Sequence, residues 1–380
     1  MTIKYLARPA ASDNVVRYIY SGRKSTPLPI VDIGAMFSDN PAAKYNVARQ
    51  VGKAAMDTGF LYVENHSVSA QLIDEVYQYA CRFFALDNRE KLRYYIGNSN
   101  NHRGFVPITE KGDYADEGGQ RAYEAFDMSL DLPVTDNLQY YASPLSGPNQ
   151  WPDEVDGFRV CLTRYYNEMR QLGDRLCEAF EIALGLRRGF FGQHMNYPTS
   201  QLRLIHYIPQ LNQQKNVSMG AHTDYECFTI LHSKQPGLQI LNKDSRWIDT
   251  PPVDGAFAVN IGDLLEAWTN KRFVSTAHRV LTNGDERLSI PFFMSTDYET
   301  VIEPITGTVG STALPEYTPF IAGEHLMGQL LRDFPYLRKR YLNGEINLKL
   351  GMPGENPFER RISESSSNVR VDRRNKKSAS

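Results

Sequence analysis

The sequence predicts a mainly β fold with flanking helices, and three patterns support this. Residues 202–294 form short alternating runs broken by Gly, Pro and Asn, which is typical of a sandwich or barrel of antiparallel strands. Residues 42–58 and 69–85 instead repeat apolar side chains at a helical spacing. The longest helical pattern covers residues 158–186 and ends near Gly185. We therefore expect a β core with helices packed against its outside.

The N-terminal half alternates between strand and helix patterns. Residues 1–27 are polar and without a strong period, which predicts an arm. Leu28–Ile33 and Phe60–Val63 are short runs rich in β-branched or aromatic residues, as in strands. Asp87 can cap the first turn of a further helix. Residues 96–150 are rich in Gly, Asn, Asp and Tyr, which predicts loops with short strands, a common place for substrate contacts.

The C-terminal part changes from helical to polar. Residues 317–341 repeat Leu at a helical spacing, whereas residues 360–380 hold seven Lys or Arg and almost no large apolar side chain. This composition predicts a disordered basic tail. A nucleic-acid-binding arm is the less favoured alternative, because the basic run is short and the rest of the chain is nearly neutral. We expect an N-terminal mixed α/β region at 1–195, a β core at 196–345 in the same structural unit, and a C-terminal segment at 346–380.

Composition narrows the classes of partner. The 42 Lys and Arg residues nearly balance the 44 Asp and Glu residues, for a net charge of −2, which argues against a nucleic-acid partner. The four cysteines have no C-x-x-C spacing, so we expect neither disulfides nor a thiolate zinc site, and we expect the thiols to be reduced and buried. No apolar stretch approaches the roughly 18 residues of a membrane span, and the N-terminus lacks a signal-peptide pattern. We expect a cytoplasmic monomer that acts on a small molecule.

Three residues suggest a metal site. His222, Asp224 and His278 supply two imidazoles and one carboxylate, the ligand set of non-haem Fe(II) oxygenases. On a strand, positions 222 and 224 point to the same face. His278 follows 56 residues later, far enough for the chain to return on a neighbouring strand. A single His is more often structural than metal-binding, but all three in this arrangement favour a site.

Two further residues suggest an anion site. Arg287 and Ser289 are also two residues apart, so a strand would place a guanidinium beside a hydroxyl. This pair suits a carboxylate, whose two oxygens match the fork of Arg donors. His206 and His232 lack a comparable pattern, and we interpret both as structural residues.

The chain resembles a known family at these and several other positions. It is similar to the 2-oxoglutarate- and iron-dependent dioxygenases of the isopenicillin N synthase-like type, over residues 28–345. The similar segments are a first strand at Leu28–Asp32, GFLYVENH at Gly59–His66, NHRGFVP at Asn101–Pro107 and LRLIHY at Leu202–Tyr207. The resemblance implies a double-stranded β-helix, or jelly-roll, core.

The resemblance also assigns roles to individual residues. It implies Fe(II) binding by His222, Asp224 and His278. It implies 2-oxoglutarate binding by Arg287, Ser289 and Tyr207. His102 and Arg103 could face the substrate, although Arg103 could equally serve a turn or an ion pair.

Two positions depart from the family pattern. Ile205 stands where plant members often have Asn, so one co-substrate contact is expected to be absent or replaced. Ser67 replaces a Gly that often follows the segment ending at His66, which we expect to affect only a turn.

The implied reaction is oxidation of a small molecule by O₂, with conversion of 2-oxoglutarate into succinate and CO₂. Hydroxylation is the default, because halogenases of the family replace the carboxylate at Asp224 with a small residue. Two alternatives stay open: an Fe(II) oxidase of the same fold that desaturates or cyclises its substrate without 2-oxoglutarate, and an inactive barrel that binds a ligand. We expect the substrate pocket to be lined by residues 96–130 and the C-terminal helix.

Overall fold

The computed structural model describes most of the chain. The described residues are 4–5, 17–20, 28–110, 123–133, 143–208, 216–282, 284–305 and 314–349. The predicted basic tail at 360–380 lies outside them, as do parts of the predicted loop region at 111–122 and 134–142.

The described residues form a sheet-rich fold, which confirms the predicted mainly β class. Its strands are β1 Lys4–Tyr5, β2 Arg17–Tyr20, β3 Leu28–Asp32, β4 Phe60–Glu64, β5 Gly104–Val106, β6 Tyr123–Ser129, β7 Gln201–Tyr207, β8 Asn216–His222, β9 Phe228–Ser233, β10 Leu238–Leu241, β11 Trp247–Asp249, β12 Ala256–Ile261, β13 His278–Thr282, β14 Arg287–Met294, β15 Val301–Ile302 and β16 Phe320–Ile321. A large sheet has the order β1-β2-β3-β4-β12-β9-β14-β7-β6-β5, and a smaller one has the order β11-β10-β13-β8. β15 and β16 pair separately.

Seven α-helices flank the sheets in the described residues. They are α1 Pro41–Asp57, α2 Ala70–Phe84, α3 Asn88–Arg93, α4 Phe158–Leu184, α5 Asp263–Trp268, α6 Ala322–Asp333 and α7 Pro335–Leu342. The predicted helix start at Asp87 is a capping box with Glu90, in which each side chain accepts a hydrogen bond from the other residue's backbone. Gly185 ends α4 with φ 69°, a left-handed conformation that favours glycine.

Helices α1, α2 and α4 pack together and against the large sheet. Three aromatic rings join them to the sheet: Phe83 of α2 lies 4.8 Å from Phe126 of β6, and Phe126 lies 5.3 Å from Phe158 of α4, between ring centroids. All three side chains are buried. These rings cover the helix-facing side of β6, and the opposite side of β6 and its neighbour β7 lies towards the smaller sheet.

Strands from both sides of residue 195 share the large sheet, because β4 pairs with β12 and β6 pairs with β7. The N-terminal region therefore contributes directly to the sheet that carries the core. The proposed boundaries at residues 195 and 345 stay predictions.

Three local expectations were wrong. The arm predicted at residues 1–27 contains β1 and β2, because β2 pairs with the edge of β3. The helix predicted over 317–341 is two helices, since Pro335 cannot donate a backbone hydrogen bond and Phe334 before it is extended. All four cysteines are free as expected, but Cys81 is exposed and only the other three are buried.

The substitution at Ser67 lies in a turn, as expected. Ser67 is exposed and has φ 64°, so it occupies the left-handed conformation that a glycine would adopt more easily. Within the described ranges, no helix is both long and apolar enough to cross a membrane.

Candidate active site

Three potential metal ligands meet at one point of the smaller sheet. His222 Nε2 lies 3.7 Å from Asp224 Oδ1, and His278 Nε2 lies 3.4 Å from the same oxygen. The ligand atoms of the three residues all lie within 4.8 Å of one another. His222 and His278 are direct partners on the adjacent strands β8 and β13. His278, which follows His222 by 56 residues in sequence, thus lies on the strand next to it, as predicted.

Asp224 reaches the site by a turn and not by the pleat of a strand. β8 ends at His222, so the prediction that residues 222 and 224 lie on one strand face was wrong. Instead the carbonyl oxygen of Asp224 accepts a hydrogen bond of 2.8 Å from the backbone N–H of Asp263. The close approach requires glycine at 262, where a Cβ would lie 2.3 Å from the carbonyl oxygen of Glu226. The turn therefore positions Asp224 through contact with the start of α5.

Hydrogen bonds orient the potential ligand atoms. Nδ1 of His222 lies 2.9 Å from the carbonyl oxygen of Gly220, and Nδ1 of His278 lies 3.3 Å from that of Thr276. When each Nδ1 donates to its carbonyl, both Nε2 lone pairs are directed towards Asp224. Outer hydrogen bonds of this kind orient metal-bound imidazoles in proteins. The donor set and its orientation therefore fit a divalent iron.

Two buried polar residues hold the carboxylate of Asp224. Asn260 Nδ2 donates to Asp224 Oδ2 over 2.6 Å, and the Thr229 hydroxyl donates to the same oxygen. These contacts leave Oδ1 for the ion. The sequence interpretation missed both residues. The available signal was an Asn within the otherwise apolar strand β12, because a buried amide needs a partner.

Burial and the charges within the triad shift the pKa values of the two histidines in opposite directions. For His278, burial lowers the pKa, but the carboxylate of Asp224 outweighs it and raises the pKa above the usual value. Burial and the nearby charge of His278 lower the pKa of His222 to about 4, so its imidazole is neutral at pH 7. Burial would raise the pKa of Asp224, but His278, His222 and the hydrogen bond from Asn260 outweigh it and hold this pKa well below its usual range. A neutral imidazole and an ionised carboxylate are the protonation states that bind a metal.

A second polar group lies on the large sheet beside the triad. Arg287 of β14 is paired with Tyr207 of β7, and its guanidinium carbon lies 4.4 Å from the centre of the Tyr207 ring. One of its nitrogens donates to the carbonyl oxygen of Pro236 over 3.2 Å. Its Nε is buried and has no hydrogen-bond partner among the described residues. Ser289 lies two residues further on the same strand and lines the same cavity. A buried, partly unpaired guanidinium with a neighbouring hydroxyl fits a carboxylate ligand.

Burial raises the pKa of Tyr207, although Arg287 and Ser289 act in the opposite direction. Its phenol therefore stays protonated at neutral pH and can donate a hydrogen bond. Ile205, two residues earlier, also lines the cavity. Its apolar side chain cannot donate the hydrogen bond to the co-substrate that was expected to be absent or replaced at this position.

A cavity of about 110 Å³ between the two sheets connects these groups. Its lining includes all three triad residues, as well as Arg287, Ser289 and Tyr207. Further charged or polar residues around it include Gln201, Arg203, Glu226 and Asp333. Leu330, Asp333 and Phe334 come from the end of α6 and the residue after it, and Tyr123 comes from β6. The C-terminal helix α6 thus contributes to the pocket, whereas Tyr123 is the only described residue of the region 96–130 that lines it.

His102 and Arg103 do not line this cavity. Nδ1 of His102 lies 2.5 Å from the hydroxyl of Tyr336, and the His102 side chain is buried. The Arg103 guanidinium donates to the backbone carbonyls of Asn101, His102 and Leu145 over 2.6–2.9 Å. Their positions support a loop-bracing role and give the predicted substrate contact no support.

The two histidines interpreted as structural have partners away from the triad. His206 Nδ1 lies 2.9 Å from Glu124, and its Nε2 lies 2.7 Å from Glu286. His232 Nδ1 lies 3.0 Å from the hydroxyl of Tyr77. These contacts account for both residues without a metal.

Comparison with known proteins places the chain in a family. The sequence profile of the 2OG-Fe(II) oxygenase superfamily matches residues 198–296. A profile described as "non-haem dioxygenase in morphine synthesis N-terminal" matches residues 28–154. Homoarginine-6-hydroxylase 2-ODD-C23 of Glycine max is 31% identical over 81% of this chain and 97% of its own length. The 2-oxoglutarate-Fe(II) type oxidoreductase hxnY of Emericella nidulans is also 31% identical, over 81% of this chain and 91% of its own length.

Solved structures agree on the fold. A full-length protein of Neurospora crassa, solved in complex with alpha-KG, has a TM-score of 0.69 at 23% identity and covers 80% of this chain and 96% of its own. JOX2, solved with 2OG, Fe and JA, has a TM-score of 0.66 at 24% identity and covers 82% of this chain and 88% of its own. These similarities confirm the predicted jelly-roll core. The matched profiles, the relatives over most of their length and the shared fold show that the chain belongs to the 2OG-Fe(II) oxygenase superfamily, and it is a non-haem dioxygenase that depends on Fe(II) and 2-oxoglutarate.

Proposed function

We propose that this enzyme hydroxylates a small molecule, with Fe(II) bound by His222, Asp224 and His278. The observation that carries the proposal is the convergence of two Nε2 atoms and one carboxylate oxygen at the wall of a buried cavity. The ligand set leaves coordination positions open, as in other non-haem oxygenases.

We assign 2-oxoglutarate to Arg287, Ser289 and Tyr207 in the same cavity. Arg287 would bind the distal carboxylate, and the buried N–H at its Nε supports this role because such a donor is costly to leave unpaired. Ser289 and the protonated phenol of Tyr207 supply further hydrogen bonds.

When bound, Fe(II) and 2-oxoglutarate supply the oxidising chemistry, in which O₂ and 2-oxoglutarate yield succinate, CO₂ and one oxygen atom for a C–H bond of the substrate. The chain contributes orientation and shielding. Asn260 and Thr229 keep Asp224 directed at the ion, and the apolar cavity residues Ile205 and Val280 limit access of water.

The alternative of an oxidase without 2-oxoglutarate is not favoured, because the named relatives are 2-oxoglutarate enzymes and one is named as a hydroxylase. Retention of the complete triad also argues against an inactive barrel. Monomeric state, absence of a nucleic-acid partner and cytoplasmic location remain predictions. Four unpaired cysteines support a reducing compartment.

Metal analysis tests the ligand assignment. His222→Ala, Asp224→Ala and His278→Ala should each lose tight Fe(II) binding while keeping the fold, because backbone pairing of β8 with β13 does not depend on these side chains. His194→Ala removes a histidine outside the cavity and should keep wild-type iron. Succinate formed per 2-oxoglutarate consumed should approach one in the wild type. Normal iron in two of the three triad variants would overturn the assignment.

A further inference from the structure

One buried carboxylate in the cavity has no role in holding iron or 2-oxoglutarate. Glu226 follows Asp224 by two residues, is only 4% exposed and lines the cavity. Apart from its own backbone N–H, no group of the described residues donates a hydrogen bond to its carboxylate. A hydrogen-bond donor from a bound ligand could therefore reach the Glu226 carboxylate from the cavity.

Two other buried carboxylates among the described residues differ in this respect. Glu124 accepts from Lys91 and is bonded to His206, and Glu181 accepts from the backbone N–H groups of Gly189 and Phe191. Burial of a carboxylate without partners costs several kcal/mol, so such groups are normally paired. Glu226 is thus an exception that a bound ligand would remove.

The cations of the cavity do not supply this partner. Arg203 forms a bidentate ion pair with buried Asp127, with N–O distances of 2.6 and 2.7 Å. Arg287 is assigned to 2-oxoglutarate. At the end of α6, Asp333 is a second carboxylate of the lining, which is 8% exposed and accepts from the hydroxyl of Tyr225 over 3.3 Å. Among the described lining residues, no cation is therefore left to pair with Glu226.

We propose that Glu226 binds the guanidinium group of a substrate and selects it against neutral analogues of the same shape. Asp333, which also lines the cavity, adds a second carboxylate. The inference rests on the proposed function, because only a cavity holding iron and co-substrate presents the remaining space to a substrate. Charge-assisted hydrogen bonds to a planar guanidinium would satisfy both oxygens of Glu226.

Matched pairs of small molecules test the proposal by binding. The first pair is L-homoarginine and L-homocitrulline, and the second is agmatine and N-carbamoylputrescine. Within each pair a guanidinium is replaced by a neutral urea of nearly the same shape. Affinities are measured by calorimetry without oxygen, on enzyme loaded with Fe(II) and 2-oxoglutarate, so the readout does not depend on turnover.

The wild type should prefer the guanidinium member of at least one pair. Glu226→Gln, which keeps shape and removes charge, should reduce that preference by about 10- to 100-fold, since a hydrogen bond to a charged group contributes roughly 1.5–3 kcal/mol. Glu303→Gln removes an exposed carboxylate and should leave the preference unchanged. The ratio within a pair is insensitive to the fraction of folded protein.

Three results would overturn the proposal: no probe binds the wild type, the urea member binds equally well or better, or Glu226→Gln retains the full preference. Iron content and succinate formation of the wild type are measured on the same preparation. A protein that fails those measurements contradicts the proposed function itself. A protein that passes them but fails the probe test contradicts only the role of Glu226.

Discussion

Gly237 controls the position of Arg287, and replacing it by Ala should weaken 2-oxoglutarate binding. A Cβ at Gly237 would lie 1.9 Å from Nη1 of Arg287 and 2.6 Å from the carbonyl oxygen of Leu281. Ordinary contact would require the guanidinium to move by about 1.5 Å or more. Because hydrogen bonds tolerate only a few tenths of an ångström, such a shift breaks a charge-assisted bond to the co-substrate. The expected loss is roughly 1.5–3 kcal/mol, or about one to two decades in Kd.

The assay is anaerobic calorimetry of 2-oxoglutarate binding to the Fe(II) enzyme. Gly255→Ala is the matched control, since Gly255 also has a positive φ, +71°, but a Cβ there would have nothing within 4 Å. Gly255→Ala controls for alanine at a positive φ. Because Gly237→Ala also brings its Cβ to 2.6 Å from the Leu281 carbonyl oxygen, the effect on Arg287 is isolated by a second comparison. Thermal unfolding of each variant separates a loss of fold from a loss of affinity.

A double-mutant cycle with Arg287→Ala provides the decisive comparison. If Gly237→Ala acts through Arg287, it should have little further effect on Kd when Arg287 is already absent. Additive effects of the two substitutions, or an unchanged Kd in Gly237→Ala alone, would refute the reasoning.

Two further predictions concern Asn260 in the site and His206 outside it. Asn260→Ala removes the 2.6 Å hydrogen bond to Asp224 and should lower iron affinity by about 10- to 100-fold, measured by competition with a chelator; unchanged affinity would contradict the supporting role. For His206, burial lowers the pKa, but hydrogen bonds to Glu124 and Glu286 outweigh burial and raise it above the usual value. A raised folded-state pKa stabilises the protein below about pH 6.5, and this contribution is lost as pH rises through the folded-state pKa. Urea unfolding across this range should therefore show a fall in stability that His206→Gln flattens, and an equal fall in both proteins would refute it.

Local patterns predicted the helices well, because capping and helical spacing act over a few residues. The capping box at Asp87 and the glycine end of α4 at Gly185 needed no long-range information. The break between α6 and α7 was also encoded locally, by Pro335, but the Leu spacing on either side concealed it. The strand at Arg17–Tyr20 was missed because the residues around it show no strong period, and its structure depends on pairing with β3.

The ligand pattern shows how a correct grouping can follow from an incorrect local argument. His222 and Asp224 were expected side by side on one strand, yet the strand ends between them. A turn held by Asp263 brings the carboxylate to the imidazoles instead. By contrast, Arg287 and Ser289 do lie on one strand, as period two predicted.

The sequence by itself determined the fold class, the family chemistry and the residues nominated for it, because spacing and residue type carry that information along the chain. Only the tertiary structure decided which buried polar groups have partners. Asn260 and Thr229 donate hydrogen bonds to Asp224, and Arg103 donates to backbone carbonyls. Glu226, by contrast, lines a cavity and accepts no hydrogen bond from another described residue. The physical reason is that the cost of burying a polar group depends on every neighbour in space, and those neighbours come from strands and turns that are far apart in sequence.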